Sequence, residues 1–189
     1  MKRKINEIVF IAIVIFNFCC LENVHAQKFE VSTNFIDWAE LGTMNVEAGY
    51  AISRHISLGT GVKYNPFTYG EDSSRKQYKQ ISSSFFVKYW PWNVYSGFWS
   101  SLKFKYQQYN FGGVFSEETD EGNRYGIGLS CGYSYMLSAH LNIIFGLGFW
   151  TGKDEYTRYK CPVCGPTVKN GQRFFIRPDN LMIAISYIF

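Results

Sequence analysis

Two thiols spaced Cys-x-x-Cys, Cys161 and Cys164 in "KCPVCGPTVKNG" (Lys160 to Gly171), carry the plainest chemical signal in the chain. With Gly165 behind them they match half of a zinc ribbon, where the glycine lets the backbone turn so that its amides face the thiolates. Structural zinc takes four ligands, commonly from two such pairs. This stretch holds one pair and no histidine, and the remaining cysteines are Cys19, Cys20 and Cys131. A local disulfide between Cys161 and Cys164 is the competing reading, and it suits an exported chain, although so short a ring is strained and reducible. The expectation is the disulfide, with zinc at Cys161 and Cys164 as the weaker alternative, no other metal and no cofactor.

Acid–base chemistry has fewer candidates. Past the first 26 residues only His55 and His140 remain, each in a Ser-x-His stretch with no acid beside it in sequence. A hydrolase needs a nucleophile, a base and an orienting group in one place, and neither such a triad nor an HExxH motif is present. The expectation is a non-enzymatic protein without catalytic residues. Glu117, Glu118, Asp120 and Glu121 cluster in "NFGGVFSEETDEGNR" (Asn110 to Arg124). Their spacing is not that of a Ca²⁺-binding EF-hand loop, and they read as a solvated acidic loop.

The elements that must hold these residues begin with a leader. Lys2, Arg3 and Lys4 precede the apolar run Ile8 to Phe18, and "VHA" (Val24 to Ala26) supplies small residues at cleavage spacing. That pattern predicts a signal peptide over 1–26 and an outer-membrane domain over 27–189. Lipidation at Cys19 or Cys20 fits less well, because Phe16, Asn17 and Phe18 are bulky. Removing the leader, with Lys2, Arg3, Lys4, Glu7 and Glu22, takes the net charge from +4 to +3. So weak a balance gives no reason to expect nucleic acid as a partner.

The remaining sequence alternates. Segments opening at Lys28, Thr43, Ile56, Lys79, Phe98, Tyr125, Leu141 and Asn180 each set large apolar residues against small or polar ones. In a strand, parity is face. "YGIGLSCGYSYML" sets Tyr125, Ile127, Leu129, Cys131, Tyr133 and Tyr135 against Gly126, Gly128, Ser130, Gly132 and Ser134. Short connections at Ser53–His55, Pro91–Tyr95 and Ser138–His140 alternate with long ones at Asp37–Gly42, Asn65–Tyr78, Asn110–Arg124 and Lys153–Arg177.

An even number of alternating strands, with turns short on one side and long on the other, predicts an all-β fold. It is an eight-stranded antiparallel transmembrane up-and-down barrel with short periplasmic turns and long exterior loops. A soluble lipocalin-like barrel would turn its apolar face inward and carry charge outside. Here the second face is Gly and Ser with a few charges, which suits a narrow lumen. Aromatic residues make up 19% of the chain and cluster at the ends of the apolar faces, where interfacial girdles sit.

That assignment turns Glu30, Glu47, Lys63, Lys88, Lys103 and Lys105 into the lumen, beside Phe86, Trp99 and Trp150. A barrel of eight strands is just wide enough for side chains to fill. The six charges are therefore expected as an ion network in a plugged barrel; a selectivity lining for a pore is the alternative. At the C-terminus, Tyr187 and Phe189 look like the insertion signal of outer-membrane barrels. The expected partners are outer-membrane lipids, the barrel-insertion machinery during biogenesis and a surface protein.

"GYAISRHISLGTGVKYNPFT", "QYNFGGVF", "YGIGLSCGYSYML" and "KCPVCG" together resemble an uncharacterised Bacteroidota family of small outer-membrane β-barrel-like proteins, domain of unknown function 3575. The resemblance implies an outer-membrane barrel and brings no catalytic residues. It also implies a setting near fimbrial or other surface-appendage components. Two functions stay open here. One is a filled barrel whose exterior loops engage a surface partner or support surface-structure assembly. The other is a small barrel enzyme or lipid-binding protein.

Overall fold

The alternation builds a closed ring. The computed structural model describes residues 28–70, 76–113, 118–160 and 167–189. Its eight long strands are β1 (Phe29–Asn34), β2 (Met44–Ala51), β3 (Ile56–Asn65), β4 (Lys76–Tyr89), β5 (Gly97–Gly112), β6 (Thr119–Met136), β7 (Leu141–Tyr159) and β8 (Thr167–Ile188). A short helix, α1 (Phe35–Ala39), follows β1, capped by Asn34, and a two-residue strand, Thr68–Tyr69, pairs with the start of β4. Every strand pairs antiparallel with its neighbours, and β1 closes the ring on β8 through Val31↔Tyr187.

The closure is staggered. From Val31, partner to partner through Ala48, Thr60, Phe85, Phe104, Ile127 and Thr151, the ladder arrives at Ile176. Val31 itself faces Tyr187, far down the same strand. Such a shear tilts the strands against the barrel axis. It also leaves walls of unequal height. β1 ends at Asn34, opposite Ala184, while β8 runs on to Thr167. The upper parts of β4 to β8 thus stand above β1 to β3 as a sheet that rises beyond the ring.

The faces are inverted relative to a water-soluble barrel. Val46, Val62, Phe85, Phe104, Ile127, Leu129, Phe149 and Leu181 are exposed on the outside, whereas Glu30, Lys88, Lys103 and Asp154 are buried within. The inner face is small because large rings fill the lumen from other strands. A Cβ at Gly146 would lie 2.7 Å from the Trp99 ring, and one at Gly59 would lie 2.3 Å from Phe86 and 2.5 Å from the Ala48 carbonyl.

The lower end is closed by the turn from Pro91 to Tyr95. Trp90, Tyr95, Trp99, Ile144, Met182 and Ile188 form a buried apolar plug. Trp90 Nε1 donates to Ser57 Oγ at 3.0 Å, and the Tyr95 hydroxyl donates to the Lys28 carbonyl at 2.9 Å. Tyr95 adopts φ 65° and Gly97 φ 79°, which folds the turn inward. A Cβ on Gly97 would strike the Trp92 ring at 2.4 Å.

Two sequence boundaries need correction. Phe35, assigned to the first strand, starts α1 instead. Two of the long connections are largely paired strand: β5 and β6 run to Gly112 and from Thr119, and β7 and β8 run to Tyr159 and from Thr167, while β4 takes the end of a third from Lys76. Above the apolar belt both faces of these strands carry polar residues, so the ladder continues where the alternation ends.

Candidate functional site

The lumen holds a chain of alternating charges. Lys88 Nζ lies 3.8 Å from Glu30 and 3.9 Å from Glu47, and Lys103 Nζ lies 2.9 Å from Glu47 and 3.8 Å from Asp179. Lys105 meets Asp179 at 2.7 Å, and Lys63 meets Asp37 at 2.7 Å. Opposite charges confined in low dielectric must neutralise one another, since an unpaired one carries a large desolvation penalty. The rings that close the lumen add to this. Lys88 stands 4.7 Å above Phe86, and Lys105 stands 4.6 Å above Trp150.

Of the six charges expected inside from sequence, Glu30, Glu47, Lys88, Lys103 and Lys105 join one chain through Asp179, and Lys63 pairs with Asp37. The carboxylates of Asp37 and Asp179 complete the pairing and were missed, because the first lies in the first turn of α1 and the second lies at the register shift within β8. Four inward lysines against two glutamates was the available signal: the imbalance calls for two more acids. Between Glu47, Lys103 and Met182 the remaining cavity is about 10 Å³, about the room one water molecule needs.

Above the network lies a second layer. A cavity of about 110 Å³, reached by Tyr78, Gln107, Arg124, Trp150 and Arg177, lies toward the upper end of the barrel. Arg124 packs 3.6 Å over the Tyr109 ring and lies 3.2 Å from Asp154, which also takes Arg173 at 2.8 Å. The Tyr109 hydroxyl donates to the other oxygen of Asp154 at 2.7 Å. Further out, Arg158 forms a paired contact with Asp120 at 2.7 and 2.9 Å and reaches Glu118 at 3.0 Å. Burial pushes the Asp120 carboxyl up, but the hydrogen bonds and charge of Arg158, with Arg173 behind them, outweigh it and hold it below the usual carboxylate range. Glu118, Asp120 and Glu121, expected in a solvated loop, sit at the tip of or within the β6 ladder. Glu117 lies outside the described residues.

The two histidines share one job. Ser53 Oγ accepts from the His55 and Ile56 amides, and Ser138 Oγ accepts from the His140 and Leu141 amides. His55 Nδ1 then meets the Trp90 carbonyl at 3.0 Å, and His140 Nδ1 meets the Ile188 carbonyl at 2.9 Å. Each carbonyl belongs to the end of the neighbouring hairpin or strand, so the repeated Ser-x-His turn fastens the lower rim twice. The His140 ring stacks on Tyr187 at 5.8 Å, and Tyr187 meets Phe189 edge-on at 4.8 Å.

The segment 1–26 expected as a signal peptide, with Cys19 and Cys20, and the residues Cys161 and Cys164 expected as a disulfide all lie outside the described residues. Cys131 is a free, exposed thiol on the outer face.

The geometry can be set beside known proteins. A family model described as a protein of unknown function, DUF3575, matches residues 10–189. The chain belongs to that family. No curated protein and no solved structure matches the chain. The family therefore supplies no activity.

Proposed function

We propose that this member of the DUF3575 family is an outer-membrane barrel, exported by a cleaved signal peptide. In this reading it is non-enzymatic, its lumen does not conduct, and its exterior sheet engages a surface partner or supports assembly of a surface structure. One observation carries the reading: large apolar side chains cover the outside of a closed barrel while paired charges fill the inside. In water that arrangement exposes an apolar surface far larger than soluble monomers carry. In a bilayer it gives lipid an apolar band, and ring closure leaves no unpaired backbone edge in hydrocarbon.

Tyr64, Tyr106 and Tyr125 at one end and Tyr50, Tyr89 and Tyr135 at the other, all exposed, suit the two interfaces. Phe35 and Trp38 on α1 are exposed near the upper end and suit the same belt. Tyr187 and Phe189 stand as the insertion signal. The non-enzymatic reading rests on the histidines, whose Nδ1 atoms serve the rim, and on a lumen whose charges are spent on one another.

Membrane fractionation of the native cell tests the location. The folded, heat-modifiable band belongs in the outer membrane, and a soluble or inner-membrane protein overturns the proposal. Pure protein in planar bilayers is expected to give no steady conductance; reproducible porin-like steps would overturn the plugged lumen. Replacing Phe189 with Asp is expected to reduce the folded outer-membrane band, and an unchanged band would remove the insertion role.

A further inference from the structure

β8 is paired on one side along its whole length and on the other only near its end. Its register with β7 runs from Thr167 to Tyr187, but β1 reaches only Ala184 to Ile188. The side chain of Asn34 extends the seam slightly, accepting from the Ile183 amide at 3.0 Å and donating to the Leu181 carbonyl at 3.3 Å. Pro178, which has no amide hydrogen to leave unpaired, stands just above. From there up to Thr167, no strand among the described residues pairs with this side of β8. A row of unpaired amides and carbonyls is a template for another strand.

The side chains along this edge break the pattern of the exterior sheet. Phe149, the last large apolar residue on the outer face of β7, faces Pro178; beyond it Ile176 and Phe174 face Thr151 and Lys153. At that height the other strands turn polar residues outward, with Lys79, Gln108, Glu121, Lys153 and Glu155 all exposed. Phe174 and Ile176, at 70% and 73%, are instead the most exposed large apolar side chains among the described residues. A register shift between Gly148 and Phe149 reverses the parity of β8, so Lys169, Arg173 and Arg177 fall on the opposite face. Arg173 is held by Asp154 and Asp120, whereas Lys169 and Arg177 form no ion pair among the described residues.

We propose that the free edge of β8 between Val168 and Arg177 accepts an extended strand from a partner protein, one that alternates apolar with acidic residues. Main-chain hydrogen bonds would supply the affinity, and the two faces the selectivity. The partner's apolar side chains lie beside Phe174 and Ile176, and its carboxylates lie beside Lys169 and Arg177. A second copy of this chain meets like charges in the register centred on the middle of the edge. Antiparallel self-pairing about Arg173 would set Arg173 against Arg173 and Lys169 against Arg177, and like charges directly opposite are destabilising.

This inference rests on the exterior sheet standing outside the membrane, as the proposed function requires. The full chain, folded in detergent micelles, is titrated with a synthetic peptide alternating valine and glutamate, and with its valine–lysine counterpart. The acidic peptide is expected to bind and to slow amide exchange between Val168 and Arg177. The Lys169→Glu/Arg177→Glu variant, checked for folding by heat-modifiable mobility, should lose that binding by about tenfold or more and gain the lysine peptide. Absence of binding by the folded barrel, or protection confined to other strands, overturns the inference. Dimerisation that protects the same amides without peptide also overturns it, in favour of a second copy. Failure to find the chain in the outer membrane would instead overturn the proposed location. A folded outer-membrane chain that ignores the acidic peptide overturns the edge alone.

Discussion

The lumen and the exterior sheet use the same residue types to opposite ends. Inside, Glu30, Lys88, Glu47, Lys103, Asp179 and Lys105 alternate in sign along one connected chain, and Lys63 with Asp37 adds a balanced pair. Above that network, the buried Arg124 shares the buried Asp154 with Arg173, while the exposed Arg177 and Lys169 form no ion pair among the described residues and stand on an edge of β8 that β1 does not pair. The first region neutralises itself because an unpaired charge buried there carries a large desolvation penalty. The second keeps a surplus because charges exposed to solvent carry little desolvation cost. Confinement, not composition, separates a structural charge network from an interactive one.

Breaking the inner network should have the largest effect. Lys103→Ala leaves Glu47 and Asp179 buried with one neutralising contact fewer each, and the expected loss is about 3–5 kcal/mol of unfolding free energy. Urea unfolding of the micelle-folded barrel, followed by gel mobility, measures it. Replacing Lys105 and Asp179 together by apolar residues of similar size is expected to cost far less, since removing a whole buried pair can be near neutral. A single Lys103 change no worse than an exterior Arg158→Ala change, at about 0–1 kcal/mol, would erase the distinction between the two regions.

Crowding the inner face comes next. Gly59→Val places a Cβ against Phe86 and against the Ala48 carbonyl, and only the ring can move aside. Overpacking of this kind costs about 1–3 kcal/mol. The same unfolding assay is expected to show that loss, with Phe86→Leu in the background restoring part of it. No loss would mean that the Trp99–Phe86 filling of the lumen is looser than the contacts indicate.

The smallest effect concerns pH at the exterior tip. The Asp120 carboxyl is held below its unfolded value, so its contribution is fully present above about pH 4 and is lost as pH falls through the lower folded value. Amide exchange at Thr119 to Glu121 and their partners Thr157 to Tyr159 should rise there, beyond the intrinsic pH effect. An Asp120→Asn variant should already show the faster exchange at neutral pH. A tip that stays protected in both would show that the Arg158 pair does not order it.

The legibility of the molecule in its sequence follows the same division. Where lipid-type and lumen-type faces alternate, as in Tyr125 to Tyr135, parity assigned every side chain to its face, and the inward Lys88 and Lys103 could be named. Where both faces are polar, as at Thr119 to Arg124, strand and loop look alike, and the ladder was missed. On β8 the register shift near Pro178 reverses parity, so Asp179 and Arg177 could not be placed by counting back from Phe189. Asp37 was hidden because α1 interrupts the strand period. The free edge of β8 could not be read at all, since it comes from the stagger of ring closure rather than from any residue.

The central claim is that the apolar outer face of this ring meets lipid, and Cys131 tests it most directly. It is exposed on β6 between Leu129 and Tyr133. In a Cys161→Ser/Cys164→Ser chain reconstituted in phospholipid vesicles, a nitroxide on Cys131 should collide readily with oxygen and rarely with a water-soluble nickel chelate. A label at Cys131 that is as open to the chelate as one at Lys153→Cys would place that face in water and contradict the account.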